Sequence, residues 1–207
     1  MKNLFLIICT TFLFSAPSYA TGLFVGGDIL FANAQYEAKN NSSVLGPKNG
    51  DIKDADNLNY GVNAGFRLDF LSLLASGEVF FDNLEVSAQN FESRQNQIHT
   101  SDNIELKNRY GVKANIGMAI LPKVTPFLTI GMSKISYGSN VYSSGNTLSK
   151  SELSPLYGVG VIVDIPLTDI SVKASYDYQS LNMNYAESGS KIRSHLGVAK
   201  LGAIYNF

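Results

Sequence analysis

Apolar and polar residues alternate along most of the chain with a period of two. The segment from 58 to 70 shows this most clearly, because seven apolar residues alternate there with six polar residues or glycines. A β-strand directs successive side chains to opposite faces, whereas no helical period gives this pattern. Thirteen residues exceed the five or six that are usual in a soluble sheet. About nine to eleven residues are enough to cross a membrane as a tilted strand.

Seven other segments show the same alternation, although Phe24 and Leu30 interrupt it in the first. The eight predicted strands cover residues 22–37, 58–70, 75–87, 104–120, 124–137, 154–165, 170–180 and 194–207. Long polar segments, at 38–56, 88–103, 138–153 and 181–193, alternate with short turns. The pattern predicts an all-β fold, an eight-stranded antiparallel up-and-down barrel. The long loops and the short turns then lie at opposite ends.

The first 20 residues have the features of a cleaved secretory signal peptide. Lys2 supplies the positive charge, residues 4–14 form a short apolar region, and Ser18-Tyr19-Ala20 is a small-x-small cleavage site. We expect cleavage after Ala20, which leaves a barrel domain of residues 21–207. Cleavage also removes Cys9, the single cysteine, so no disulfide is expected in the mature chain.

Composition favours a barrel that lies in a membrane. Charged residues make up only 16% of the chain, against about 25% in soluble domains. Without Lys2, 15 basic and 17 acidic residues remain, a net charge of −2 that favours no nucleic-acid partner. No stretch of about eighteen apolar residues follows the signal peptide, so membrane-spanning segments must be strands of a closed barrel. We therefore predict a transmembrane β-barrel.

Charged residues recur on the predicted inner face of the barrel. They are Arg67, Glu78, Arg109, Lys113, Lys173, Asp177 and Lys200. Arg67, Glu78, Lys173 and Lys200 are placed in the lower half of the lumen, and the other three higher. Eight strands leave an interior that side chains just fill, and isolated buried charges are very unfavourable. We therefore expect a paired lumen charge network that plugs the barrel; the alternatives are a narrow gated pore and a soluble lipocalin-like barrel.

The last strand ends in Tyr205 and Phe207, and this ending resembles the carboxy-terminal signature of bacterial outer-membrane barrels. With the signal peptide and the eight strands, the whole mature chain resembles the small outer-membrane β-barrel superfamily. That superfamily includes the transmembrane domain of outer membrane protein A and the opacity-protein-like surface antigens. The resemblance implies a location in the outer membrane of a Gram-negative bacterium. It further implies insertion by the barrel assembly machinery and contact with membrane lipid and lipopolysaccharide. The chain stops at Phe207, so we carry over no cell-wall-tethering role.

The resemblance favours a structural surface protein, adhesin-like or a surface antigen, that acts through four extracellular loops on a host-surface or matrix ligand. We expect a monomer with no cofactor, metal site or catalytic residue. A narrow pore is the first alternative. The second is a lipid A-modifying enzyme, since some barrels of this size use a His and a Ser near the outer rim. Ser194 and His195 are adjacent on a strand and so point to opposite faces, and His99 lies in a polar loop.

Overall fold

The computed structural model describes residues 22–38, 59–91, 102–121, 123–140, 147–185 and 190–207. Eight strands make up most of these ranges: β1 Gly22–Ala38, β2 Asn59–Phe70, β3 Leu73–Phe91, β4 Asp102–Met118, β5 Val124–Asn140, β6 Thr147–Asp164, β7 Ile170–Tyr185 and β8 Ser190–Asn206. No helix in the described ranges is long and apolar enough to cross a membrane. The predicted signal peptide, its cleavage site at Ala20 and His99 lie outside the described residues.

The strands form a closed antiparallel barrel, as the alternation predicts. Each strand pairs with its neighbours in the chain, and β8 pairs with β1 to close the sheet. The amide of Phe207 donates to the carbonyl of Leu23 at 2.8 Å, which extends this closure past the end of β8. Within the paired region the wall has no free sheet edge.

The register of the strands sets the tilt and the width of the barrel. From Val62, paired residues lead through β3, β4 and β5 to Leu153 on β6. In the other direction they lead through β1, β8 and β7 to Val163, ten residues away on the same strand (163 − 153). With strands about 4.8 Å apart and a rise of about 3.3 Å per residue, this stagger gives a tilt of about 40° and a backbone radius of about 8 Å. Side chains fill an interior of that width.

The outer surface carries a broad apolar belt. Every second residue from Tyr110 to Ile120 is exposed, and at the derived tilt these ten steps span roughly 25 Å, the height of an outer-membrane apolar band. Exposed aromatic side chains border the belt: Phe31, Tyr60, Phe81, Tyr110, Tyr157 and Tyr178 toward the extracellular end, and Phe66, Tyr205 and Phe207 toward the short turns. The apolar parity of the sequence therefore faces lipid, as predicted.

Two of the four predicted outer loops, 138–153 and 181–193, are largely strand, and strand extends into a third, 88–103, which corrects the sequence interpretation. β3 continues to Phe91, β6 begins at Thr147 and β7 continues to Tyr185, inside the segments interpreted as loops 88–103, 138–153 and 181–193. The physical reason is that above the lipid the outer face of a strand meets water. Apolar side chains are then no longer required on the outer face, and the alternation typical of a membrane strand disappears. Most of the fourth predicted loop, 38–56, lies outside the described residues.

Above the belt, the described strands form two separate sheets. Among the described residues, the β6–β7 ladder stops at Leu156 and Gln179, whereas the β1–β2 ladder continues to Asn59, the first described residue of β2. One sheet, leaf A, comprises the outer ends of β3, β4, β5 and β6; the other, leaf B, comprises those of β7, β8 and β1. Buried apolar side chains pack between the leaves: Leu30, Ala34, Leu84, Val86, Leu106, Ile135, Tyr137, Leu181, Leu196 and Val198.

The assigned position of the belt can be tested at two isoleucines of one chain segment that lie at different depths in the membrane. Ile116 and Ile120 are 66% and 63% exposed, but Ile116 lies nearer mid-span and Ile120 lies at the short-turn border. We expect Ile116→Arg to lower the free energy of unfolding in lipid vesicles by about 2–4 kcal/mol and Ile120→Arg by about 0–1 kcal/mol. Urea titrations of the two variants measure this. Equal losses at both positions would contradict the assigned belt.

Candidate functional site

The structure places all seven predicted inner charges in the lumen. Their exposed fractions are Arg67 7%, Glu78 4%, Arg109 0%, Lys113 5%, Lys173 2%, Asp177 0% and Lys200 3%. Asp28 and Asp82 lie there too, at 5% and 0%, although neither is among the seven residues predicted from the sequence. Both share the inner parity of their strands, so the alternation contained the signal that would have found them.

Asp82 binds two cations from opposite sides of the barrel. Arg109 donates through Nε at 2.9 Å and through Nη2 at 2.6 Å to Asp82 Oδ2. Lys200 Nζ lies 2.7 and 2.8 Å from the two oxygens of the same carboxylate. All three side chains are fully buried. Charge-assisted bonds of this length are about twice as strong as neutral ones, so Asp82 is the main anchor of the network.

Asp177 connects this anchor to the lysine below it. Its Oδ2 atom lies 3.3 Å from Arg109 Nη2, 3.5 Å from Lys200 Nζ and 3.7 Å from Lys113 Nζ. Lys113 therefore belongs to the same cluster as Arg109 and Lys200. Except for Arg67, the two levels inferred from the sequence are joined into one network.

Glu78 continues the network toward the short-turn end. Its Oε1 atom accepts from Lys173 at 3.1 Å and lies 3.2 Å from Lys113 Nζ. Asn115 donates to its other oxygen at 3.4 Å. Lys173 also lies 4.0 Å from Asp28, whose second oxygen accepts from Asn63 at 2.7 Å.

The central network is electrically balanced. Four cations, Arg109, Lys113, Lys173 and Lys200, face four anions, Asp28, Glu78, Asp82 and Asp177. Each charge has a partner of opposite sign, which offsets the unfavourable transfer of ions out of water. This balance lets a narrow lumen hold eight ionisable side chains inside the membrane.

Phe80 lies among the cations rather than among other apolar residues. Its ring centroid is 4.8 Å from Lys200 Nζ, 5.2 Å from Lys113 Nζ and 5.3 Å from the guanidinium carbon of Arg109. The negative face of an aromatic ring attracts cations at such distances, and more strongly without water. Phe80 therefore fills the middle of the lumen while adding to the stabilisation of the positive charges.

Arg67 lies apart from the other six predicted charges, near the short-turn mouth. It forms two parallel bonds to Asp164, from Nη1 at 2.9 Å and from Nη2 at 3.1 Å. Its Nε atom lies 2.8 Å from Asp69, and Ser171 donates to Asp164 at 2.6 Å. This second cluster spans the lumen from β2 to β6 and β7.

Apolar layers lie above and below the central network. The lower one consists of Phe24, Leu74, Phe127, Ile162 and Ile204, and the upper one is the cluster between leaves A and B. Phe24 and Leu30, which interrupt the alternation of the first strand, belong to the lower and the upper layer respectively. An ion that crossed the lumen would have to enter both layers, where an unpaired charge is very unfavourable.

Ser194 and His195 do not form a catalytic pair. Ser194 is fully buried in the lumen, whereas His195 lies on the outer face. There His195 Nδ1 is 2.6 Å from the hydroxyl of Tyr178, and the two rings stack with centroids 5.9 Å apart. A base must reach its nucleophile through a hydrogen bond, and these two side chains lie on opposite sides of the wall. Across the described strands, no group of three or more His, Cys, Asp or Glu side chains could hold a metal ion.

Comparison with solved structures agrees with this architecture. Neisserial surface protein A is 16% identical, with a TM-score of 0.53 over 92% of this chain and 100% of that one. A major outer membrane protein of Thermus thermophilus is 14% identical, with a TM-score of 0.53 over 91% and 100%. The attachment invasion locus protein of Yersinia pestis is 19% identical, with a TM-score of 0.49 over 90% and 99%.

The chain has the fold of the small eight-stranded outer-membrane β-barrels. Together with the apolar belt, this fold indicates a location in the outer membrane. No protein-family profile and no curated sequence matches the chain. At these identities the likeness concerns the fold, and the function must be argued from the residues themselves.

The network predicts that the same substitution, Asp to Asn, lowers the free energy of unfolding by different amounts at two positions. Asp82 contacts two cations within 2.8 Å, whereas the nearest cation to Asp28 is 4.0 Å away. We expect Asp82→Asn to lower the free energy of unfolding by about 3–5 kcal/mol, because it leaves Arg109 and Lys200 buried without their main partner. Asp28→Asn keeps a side chain of the same shape and should lower it by less than half as much. Urea unfolding in vesicles measures both; equal losses would contradict the anchor role of Asp82.

Proposed function

We propose that this protein is a non-enzymatic surface protein of the outer membrane, adhesin-like, that binds a host-surface or matrix ligand through its extracellular end. One observation carries the proposal: the strands continue far beyond the lipid while the lumen beneath them is filled. β3 runs ten residues past the aromatic border, from Phe81 to Phe91. At the derived tilt this raises its tip roughly 25 Å above the membrane.

The projecting part offers a polar surface on a rigid frame. Lys107, Lys134 and Asn182 are exposed there, and the buried cluster between leaves A and B supports them from beneath. Binding residues are often carried by surface segments on a rigid scaffold. That one similar structure is described as a surface protein supports display at the cell surface as the role of this fold.

The other proposed partners are membrane lipid, lipopolysaccharide and the barrel assembly machinery, and all of them would contact the membrane-facing surface. The apolar belt contacts lipid, and Lys134 lies beside Tyr110 across the β4–β5 ladder, at the height where lipopolysaccharide phosphates begin. Tyr205 and Phe207 are exposed and pack edge to face at 5.0 Å. We propose that this aromatic pair is the part of the last strand that the barrel assembly machinery recognises. We also propose that the protein acts as a monomer.

The two alternatives have less support. A pore would need a continuous polar path, but apolar layers flank the charged network on both sides. An enzyme of the lipid A-modifying kind would need a nucleophile and a base on the same side of the wall, and Ser194 and His195 are separated by it. Binding at the extracellular end therefore agrees best with the described residues.

Display on a non-adherent bacterium tests the proposal. We expect replacement of residues 87–104 and 139–149 by two-residue turns to reduce adhesion to epithelial cells and matrix-coated surfaces at least tenfold, because the projecting tips are lost. Leu167→Gly, in the β6–β7 turn at the other end of the barrel, is the matched control and should leave adhesion unchanged. Heat-modifiable mobility on gels checks that every variant is folded. Undiminished adhesion of the shortened variant would contradict the proposal.

A further inference from the structure

A gap in the backbone ladder separates β6 from β7 above the membrane. Residues Thr147–Pro155 of β6 pair with β5 on one side, and residues Ser180–Tyr185 of β7 pair with β8 on one side. In the described strands, the β6–β7 ladder itself ends at Leu156 and Gln179. Two sheet edges therefore face each other outside the lipid. We call this gap, between Thr147–Pro155 and Ser180–Tyr185, the seam.

Pro155 explains why the ladder ends where it does. It is the first residue of β6 beyond the last paired residue, Leu156. A proline has no backbone N–H, so it cannot donate to a neighbouring strand and occurs mainly at sheet edges. The β6–β7 connection lies at the opposite end of the barrel, near Thr168, so no chain connection bridges the seam at its outer end.

Two side chains of β6 cross the seam in place of backbone bonds. The hydroxyl of Ser154 donates to the carbonyl of Ser180. The carboxylate of Glu152 accepts from the backbone amide of Asn182 at 2.9 Å. Each contact occupies a main-chain group of β7 that a neighbouring strand would otherwise bind. Ser154 and Glu152 therefore act as latches that hold the two edges together.

From this geometry we propose that the seam binds an extended peptide of a partner protein, which adds to the β6 edge as an additional strand. An edge strand presents a row of main-chain donors and acceptors, and an extended peptide complements that row regardless of most of its side chains. On the outward face of the same edge, Leu153 is 62% exposed and offers an apolar contact to one side chain of the peptide.

The contacts of the two latches determine how much free energy a peptide needs to open the seam. A peptide that enters must break the contacts of Ser154 and Glu152, and it gains main-chain hydrogen bonds to the β6 edge. Each protein hydrogen bond contributes a modest net stabilisation, so loss of both latches should favour the open seam by roughly tenfold or more. The latches protect the edges when no partner is present, which is a common way to avoid edge-to-edge aggregation.

The inference rests on the proposed function, since it names the class of partner and the place where that partner binds. It is tested on the purified barrel, so its outcome is separate from that of the adhesion assay. Adhesion without peptide binding would contradict peptide binding at the seam but not the proposed function. Peptide binding without adhesion would contradict the proposed function but not peptide binding at the seam.

The experiment begins with a library of linear 12-residue peptides displayed on phage, selected against the folded barrel in detergent. The selected peptide is synthesised, and its Kd is measured for the wild type, for Glu152→Ala/Ser154→Ala and for Ser151→Ala. The last is the matched control, because Ser151 is adjacent to Glu152 and three residues from Ser154 but points outward. Ser154→Ala alone provides a milder variant that keeps the Glu152 contact. Two further peptides carry N-methyl groups at odd or at even positions.

We expect about tenfold tighter binding to the double variant than to the wild type or Ser151→Ala, with Ser154→Ala between them. One of the two N-methylated peptides should lose binding at least tenfold, because alternate amides face the β6 edge. Hydrogen exchange should slow in residues 147–154. The proposal would be overturned if no peptide can be selected or if all variants bind the peptide with equal affinity. It would also be overturned if neither N-methylated peptide loses binding, or if hydrogen exchange slows outside residues 147–154. Dimerisation of the double variant without peptide binding would assign the seam to a second copy and overturn it as well.

Discussion

The closed hydrogen-bond ladder is the constraint on which the rest of this structure depends. In lipid no water is present to bond a free N–H or C=O, so the wall must pair every strand on both sides. The register meets this requirement from β1 to β8, and its ten-residue stagger sets a narrow radius. The constraint ends at the membrane surface. Above it, in water, the β6–β7 ladder stops at Leu156 and Gln179, and the described strand ends form leaves A and B.

The narrow radius in turn explains the chemistry of the lumen. Side chains must fill it, and charged ones are tolerated only as a balanced set around Asp82, Asp177 and Glu78. Phe80 fills the centre of the lumen, and its ring attracts the cations around it. The apolar layers on both sides exclude water from the network, which strengthens its ion pairs. We therefore propose that the interior is a structural plug and that the features used in recognition lie on leaves A and B.

Much of the fold and part of the site follow from the period-two pattern alone. Alternation identified the strands, the lipid face and seven of the inner charges, because a strand through lipid must be apolar on one face. It could not show which charges meet, since that depends on the stagger between strands. The apolar layers were visible only as interruptions at Phe24 and Leu30. The outer strands and the seam left no periodic signal, because water on the outer face removes the demand for apolar residues.

The central claim, that the lumen is a closed plug and that function lies outside the membrane, is tested most directly by electrical recording. The folded wild-type barrel is inserted into planar lipid bilayers, and current is recorded at high salt over a range of voltages. The charged network, closed by apolar layers above and below, predicts an unchanged baseline with no stable single-channel steps. Large, long-lived conductance steps that scale with the amount of inserted protein would contradict the account.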